Sequence, residues 1–262
     1  MTPSDTGARL RVERADGVGR IVLTRPEKKN ALDRLAAEEL FAALSTLETD
    51  HAVRVILITA EGKDFCAGAD LEALAAMRDA SADEHRDDAE ALGRVFLAIR
   101  TIVKPIVAAV KGRALAGGAG LAIACDIVLA ADDAQLGFPE VKVGFVPAMV
   151  MTMLRRCVGE KHAADLVLTG RVVAAEEGAR IGLVSRILPS RTFDADVQKI
   201  VAEVARTPKT AIALTKWLFH KLDELSFSDG IAAGVVTNVE ARATEDFREG
   251  IRRFLERGKD KR

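Results

Sequence analysis

The stretch GRALAGGAGLAIACD, residues 112–126, decides how the rest of the chain is read. It follows the apolar run IVAAV at 106–110 and leads into DIVLA at 126–130. Small residues dominate it, so it has few side chains with which to build a core of its own. Three readings are open. A GxGxxG dinucleotide loop needs glycines at 118, 120 and 123, but position 123 is Ile, and no acidic residue is placed to hold a ribose. Close packing is the second, because small residues let a helix lie tightly on its neighbours. The third is a strand-to-helix turn at Gly117 and Gly118. Its free first-turn amides would point outward, and the helix dipole suits them to negative charge.

A second stretch has the same form. In GKDFCAGADL, residues 62–71, the strand-like VILIT at 55–59 gives way to the small-residue loop CAGA and then to a helix start. Two such turns could bring two N–H donors to one oxygen. Donors of that kind stabilise the oxyanion or enolate that develops there by about 3–4 kcal/mol each.

Outward from these turns, strands and helices alternate. RLRVERADGVGRIVLTR reads as two strands about Asp16-Gly17, and Pro26 ends the second. Leu35, Leu40, Phe41, Leu44 and Leu47 recur at helical spacing between Asp33 and Glu48. A helix starts at Leu71, and another covers 83–100 with Leu92, Val95, Phe96 and Ile99 on one face. The order predicts an α/β fold, with a strand–strand–helix rhythm that suits a coiled stack better than a simple Rossmann sheet. Beyond about residue 195 the strands stop. Helical patterns follow at 193–206, 208–224 and 228–257, the last broken near Arg242, with Thr244 as a capping hydroxyl and Gly258 as a stop. The expected division is a core at 1–195 and a helical region at 196–262.

Composition bounds the function. The chain has 262 residues, 49% of them hydrophobic and 29% charged, with a net charge of -1. That balance suits one globular unit with a smaller appendage, and gives no sign of a nucleic-acid or membrane-surface partner. Cys66, Cys125 and Cys157 form no CxxC pair and no even set, which points to a reducing compartment, the cytoplasm. The polar opening MTPSDTGARLRVERADG has no signal-peptide core, and no run reaches the about 18 apolar residues of a membrane span. His51, His85, His162 and His220 are scattered without HxxxH, so no metal site is expected. No GxSxG elbow is present. Cys66 reads as packing rather than as a nucleophile, and His85 as a surface helix residue.

Five segments together resemble the enoyl-CoA hydratase/isomerase (crotonase) family: LTRPEKKNAL at 23–32, DFCAGADL at 64–71, AAVKGRALAGGAGLAIACDIVLA at 108–130, AQLGFPEVKVGFVP at 134–147 and GRVVAAEEGARIGLVSRIL at 170–188. They occur in the family's order and span nearly the whole chain. The resemblance implies a crotonase-like spiral of repeated ββα units with a C-terminal helical region that builds trimers, often paired into hexamers. It also implies an acyl-CoA thioester substrate, with fatty acid metabolism as the setting, and no metal or redox cofactor. By position, the oxyanion amides would be those of Ala67 and Gly117. Ala69, Asp70 and Leu71 would pass the adenine and pantetheine, with Asp70 capping its helix. Lys28 or Lys29 would lie along the coenzyme A, and Lys259 near the 3′-phosphate on an adjacent subunit. Phe138, Val143, Phe145, Val146 and Met149 would shape the acyl pocket. Trp217, Phe219, Phe247 and Phe254 would make core or trimer contacts.

The acid–base residues are the informative departure. Hydratases of this family resemble one another in using two glutamates, one in a GGGCEL-like pattern and one in a QPE-like pattern. Here GFPEV supplies the second as Glu140, but AGGAGL puts Gly120 where the first would stand. A general acid–base group is worth about 10²–10⁴ in rate. Three readings follow. Glu140 adds water to a 2-enoyl-CoA in a divergent hydratase, as EVKVGFVPA suggests. Alternatively, it alone moves a proton between carbons in a 3-enoyl-CoA to 2-enoyl-CoA isomerase. The third is an acyl-CoA-binding protein with little activity. The hydratase is the first expectation.

Overall fold

The structure, a computed structural model, describes residues 8–259, and the side chains of 257–259 lie outside the description. Strands β1 (Leu10–Ala15) and β2 (Val18–Leu23) form an antiparallel hairpin. Asp16 and Gly17, at φ 51° and 80°, make the tight turn between them. Then come α1 (Arg34–Thr49), β3 (Val55–Ala60), α2 (Leu71–Ala76), α3 (Ala82–Thr101), β4 (Ile106–Val110), β5 (Arg113–Leu115) and α4 (Gly117–Ala124). The core closes with β6 (Ile127–Ala131), β7 (Gln135–Gly137), α5 (Ala148–Thr169), β8 (Val172–Ala174), α6 (Ala175–Ile181) and β9 (Arg186–Leu188). Four helices follow: α7 (Phe193–Ala205), α8 (Lys209–Lys221), α9 (Phe227–Arg242) and α10 (Glu245–Lys259).

The large sheet runs β1-β2-β3-β4-β6-β9 and is parallel from β2 onward. Its inner strands are apolar on both faces, as helix-covered parallel strands must be, and all five residues of β4 are buried. A small sheet runs β5-β7-β8. Two parallel bridges, Cys66 to Ala114 and Leu32 to Ala69, continue it through earlier loops. Each turn of the chain therefore lays a strand in the large sheet and a short segment in the small one, then adds a helix. The series β3–Cys66–α2, β4–β5–α4, β6–β7–α5 is the expected ββα spiral.

Local chemistry sets the helix starts. Asp33 accepts from the Ala36 amide at 2.8 Å and caps α1, which buries Ala36, Leu40, Ala43, Leu44 and Leu47. Ser81 and Glu84 form a reciprocal capping box at the start of α3. Thr244 accepts from the Phe247 amide at 3.2 Å and starts α10, which extends past Gly258 to Lys259.

The boundary expected at residue 195 falls inside α7. That helix buries Phe193, Val197 and Val201 and packs on β2 and β3, so it belongs to the core. The helices that stand off from the sheet begin with α8. Lys216 pins α8 down: its ammonium donates to the carbonyls of Ile99 and Lys104 at 3.0 and 2.9 Å and pairs with Asp126 at 2.7 Å. Among the described residues no helix is long and apolar enough to cross a membrane.

Candidate active site

The short segments of the spiral meet edge to edge, and the candidate site is built on that seam. Ala67 N donates to the Lys29 carbonyl at 3.0 Å, and Leu32 N to the Gly68 carbonyl at 2.7 Å. Cys66 N donates to the Arg113 carbonyl at 3.1 Å, and Leu115 N returns to the Cys66 carbonyl at 2.9 Å. Ala116 N donates to the Gly137 carbonyl at 2.8 Å, three residues before Glu140. Loops distant in sequence are thereby held side by side.

The glycines divide the work the sequence left open. Gly118 serves close packing, since a Cβ there would lie 2.3 Å from the Cys66 carbonyl oxygen. Gly68, at φ 96°, lets the two turns touch. A Cβ on it would lie 2.7 Å from Ala116 Cβ and 3.3 Å from Gly117 N. Gly117 opens α4, so its amide is among those with no intrahelical acceptor. Ala116 before it holds φ 50° and ψ −125°, a conformation unfavourable for a residue with a Cβ.

Ala67 does not have a free amide, because the Lys29 carbonyl takes it. The free amide in this turn is two residues on. In the parallel bridge, Leu32 donates to Gly68 and accepts from Asp70, so Ala69 turns its own N–H to the opposite side. Among the described residues no acceptor meets it. Sequence position alone did not distinguish the two alanines, because the difference lies in which one the neighbouring loop engages.

Asp70 accepts from the Glu72 and Ala73 amides at 3.0 and 3.3 Å and from Arg25 Nη2 at 3.0 Å. Burial pushes its carboxyl up. The Ala73 amide, the Arg25 guanidinium and the Glu72 amide outweigh that and hold it below the usual carboxylate range. It is a helix cap tied to a buried cation. Arg25 also donates to Asp33 at 2.8 Å, so one side chain joins the caps of α1 and α2.

Glu140 lies in the short 3-10 turn Pro139–Val143, next to the fully buried Phe138. It is 8% exposed, and its Oε2 has no hydrogen-bond partner among the described residues. Burial pushes its carboxyl above the usual range, against a smaller opposing pull from its own backbone amide. Ala67, Ala69, Gly117 and Glu140 line one cavity of about 860 Å³. Lys28, Lys29, Asp70 and Leu71 line it too, as do Val143, Phe145, Val146 and Met149. Phe138 lies in the core beneath. Lys28 pairs with Glu72 at 2.5 Å on the exposed edge. The side chain of Lys259 lies outside the described residues.

The space at Gly120 is filled. A Cβ there would lie 2.7 Å from Val150 Cγ2 and 3.2 Å from Phe96 Cζ. Neither residue had a sequence signal beyond its apolar character. Of the other carboxyls lining the cavity, Glu27 is exposed, Asp70 is bound to Arg25 and Glu72 to Lys28. His51, His85 and His162 are exposed and outside it. Burial pushes the Cys66 thiol up to about 12, which keeps it protonated and inert near neutrality.

A family model described as enoyl-CoA hydratase/isomerase matches residues 13–261. The chain is 44% identical over 237 residues to a Thermus thermophilus protein named "Putative enoyl-CoA hydratase", covering 90% of this chain and 94% of that one. It is 33% identical to the crotonyl-CoA hydratase of Syntrophomonas wolfei, covering 95% of each. A solved enoyl-CoA hydratase from Mycobacterium smegmatis superposes with a TM-score of 0.90 at 31% identity, over 95% of this chain and 96% of that one.

Proposed function

Because this chain belongs to the enoyl-CoA hydratase/isomerase family, an enzyme family acting on acyl-CoA thioesters, we propose that it adds water to a 2-enoyl-CoA with Glu140 as its one acid–base group. The amides of Ala69 and Gly117 hold the thioester oxygen. The Glu140 carboxylate takes a proton from water as the water oxygen bonds to C3. The C2–C3 π electrons move onto the thioester oxygen, where the two N–H groups are worth about 3–4 kcal/mol each. As that enolate collapses, C2 takes the proton from Glu140. The supporting observation is a buried carboxyl oxygen without a partner, in the cavity that also holds both turns. No electron is transferred to any acceptor, so the reaction needs no redox cofactor, and the coenzyme A is part of the substrate. Lys28 and Lys29 lie along that coenzyme A, and the chain works as a trimer or paired trimers.

Gly120 favours a second reading. Val150 and Phe96 fill the space where a second carboxylate would stand to hold the water. Glu140 would then take a proton from C2 of a 3-enoyl-CoA and return it to C4. One assay separates the readings: the protein is given crotonyl-CoA and, separately, a 3-enoyl-CoA, each with Glu140→Gln in parallel. Loss of the conjugated enoyl absorbance identifies hydration, and its gain from the 3-enoyl compound identifies isomerisation. Tight binding with neither change leaves only an acyl-CoA carrier.

A further inference from the structure

A second cavity, of about 760 Å³, lies on the far side of Met149 from the reaction cavity. Met149 lines both. The partition is thin. Opposite Met149, on α3, stands Gly93, and a Cβ there would find only Met149 Sδ within 4 Å, at 3.4 Å. Glycine is unfavourable in a helix interior, and here it puts no side chain of its own between α3 and Met149. That side chain is an unbranched thioether, the most easily rearranged of the large apolar groups. Phe96, Leu97, Met153 and Trp217 give the second cavity an apolar wall, and Arg100 and Arg156 close on Asp223 at its edge at 2.9 and 3.1 Å.

We propose that Met149 is a movable partition and that the second cavity receives the tail of long, straight-chain acyl-CoA substrates. The inference rests on the acyl-CoA reading of the reaction cavity and specifies its substrate class. With Met149 turned aside, the two cavities form one channel from Glu140 across Gly93 to Trp217. Hydrocarbon burial along it favours binding by about fourfold for each added methylene until the channel is filled.

Trp217 is the chain's one tryptophan, and it lines only the second cavity, so it reports the tail independently of turnover. Hexadecanoyl-CoA should shift its emission, and butanoyl-CoA should not. Gly93→Leu, outside the reaction cavity, should lower kcat/KM for hexadec-2-enoyl-CoA by about tenfold or more while sparing crotonyl-CoA, and should abolish the emission shift. Met149→Ala should lower KM for the long substrate. An unchanged Trp217 signal with hexadecanoyl-CoA, or equal losses for both chain lengths in Gly93→Leu, overturns the channel. Failure to turn over any chain length would instead overturn the reading of Glu140, and the Trp217 signal would still decide the channel.

Discussion

Glu140 carries two opposed demands. Its raised carboxyl favours the protonated form in the folded chain, while proton abstraction needs the ionised one. The stability that this burial contributes is fully present below the unfolded carboxylate pKa and is lost as pH rises through the raised folded value. Glu140→Gln is therefore expected to lower kcat by about 10²–10⁴ and to raise the melting temperature at neutral pH, the gain shrinking in acid. The acid limb of kcat/KM should lie above the ordinary carboxylate range. Melts and rates across pH check both. At Ala116 the demand is conformational. Ala116→Gly relieves the positive φ and should stabilise the fold by up to about 1 kcal/mol, read from denaturant midpoints. At this scale the sequence singled out Glu140 by its side chain, and the structure puts that buried carboxyl in the cavity. The orientation of a backbone amide was not legible: the Lys29 carbonyl takes that of Ala67, while the bridge to Leu32 turns that of Ala69 to the other side.

Among the elements, α2 shows how a short helix is kept in place. It buries none of its residues, so its position depends on Asp70 and the Arg25 beneath it. Asp70→Ala removes the cap and strips Arg25 of one carboxylate, a loss of about 3 kcal/mol at neutral pH. Because the folded Asp70 pKa is lowered, its contribution is present above the ordinary carboxylate value and fades as pH falls through the folded one. Urea titrations of both proteins at neutral and acidic pH measure this. The longer helices were readable from their apolar spacing, and β3, β4 and β6 from their continuous apolar runs. Strands β5, β7 and β8 were not, because each has three residues and exists only through partners far away in the chain.

At the scale of the whole molecule, the helices after the core present an uncovered apolar surface. Phe227, Ile231, Val235, Val236 and Val239 of α9 are all more than half exposed, and only Thr237 of that helix is buried. Such a face is expected to drive association of copies of this chain, and Val235→Asp should lower the sedimenting mass while leaving the far-ultraviolet spectrum unchanged. The family pattern made this region legible as helices, but not the place of α7, whose buried face is specified by the sheet it covers. The winding of the chain has a further consequence in time. Leu32 must find Ala69, Cys66 must find Ala114, and β5 must find β7 before the cavity has walls. Pairings across such spans form slowly. A growing or refolding chain should therefore acquire affinity for thioester ligands abruptly and late, when the segment bearing Glu140 docks, with no half-competent precursor on the way.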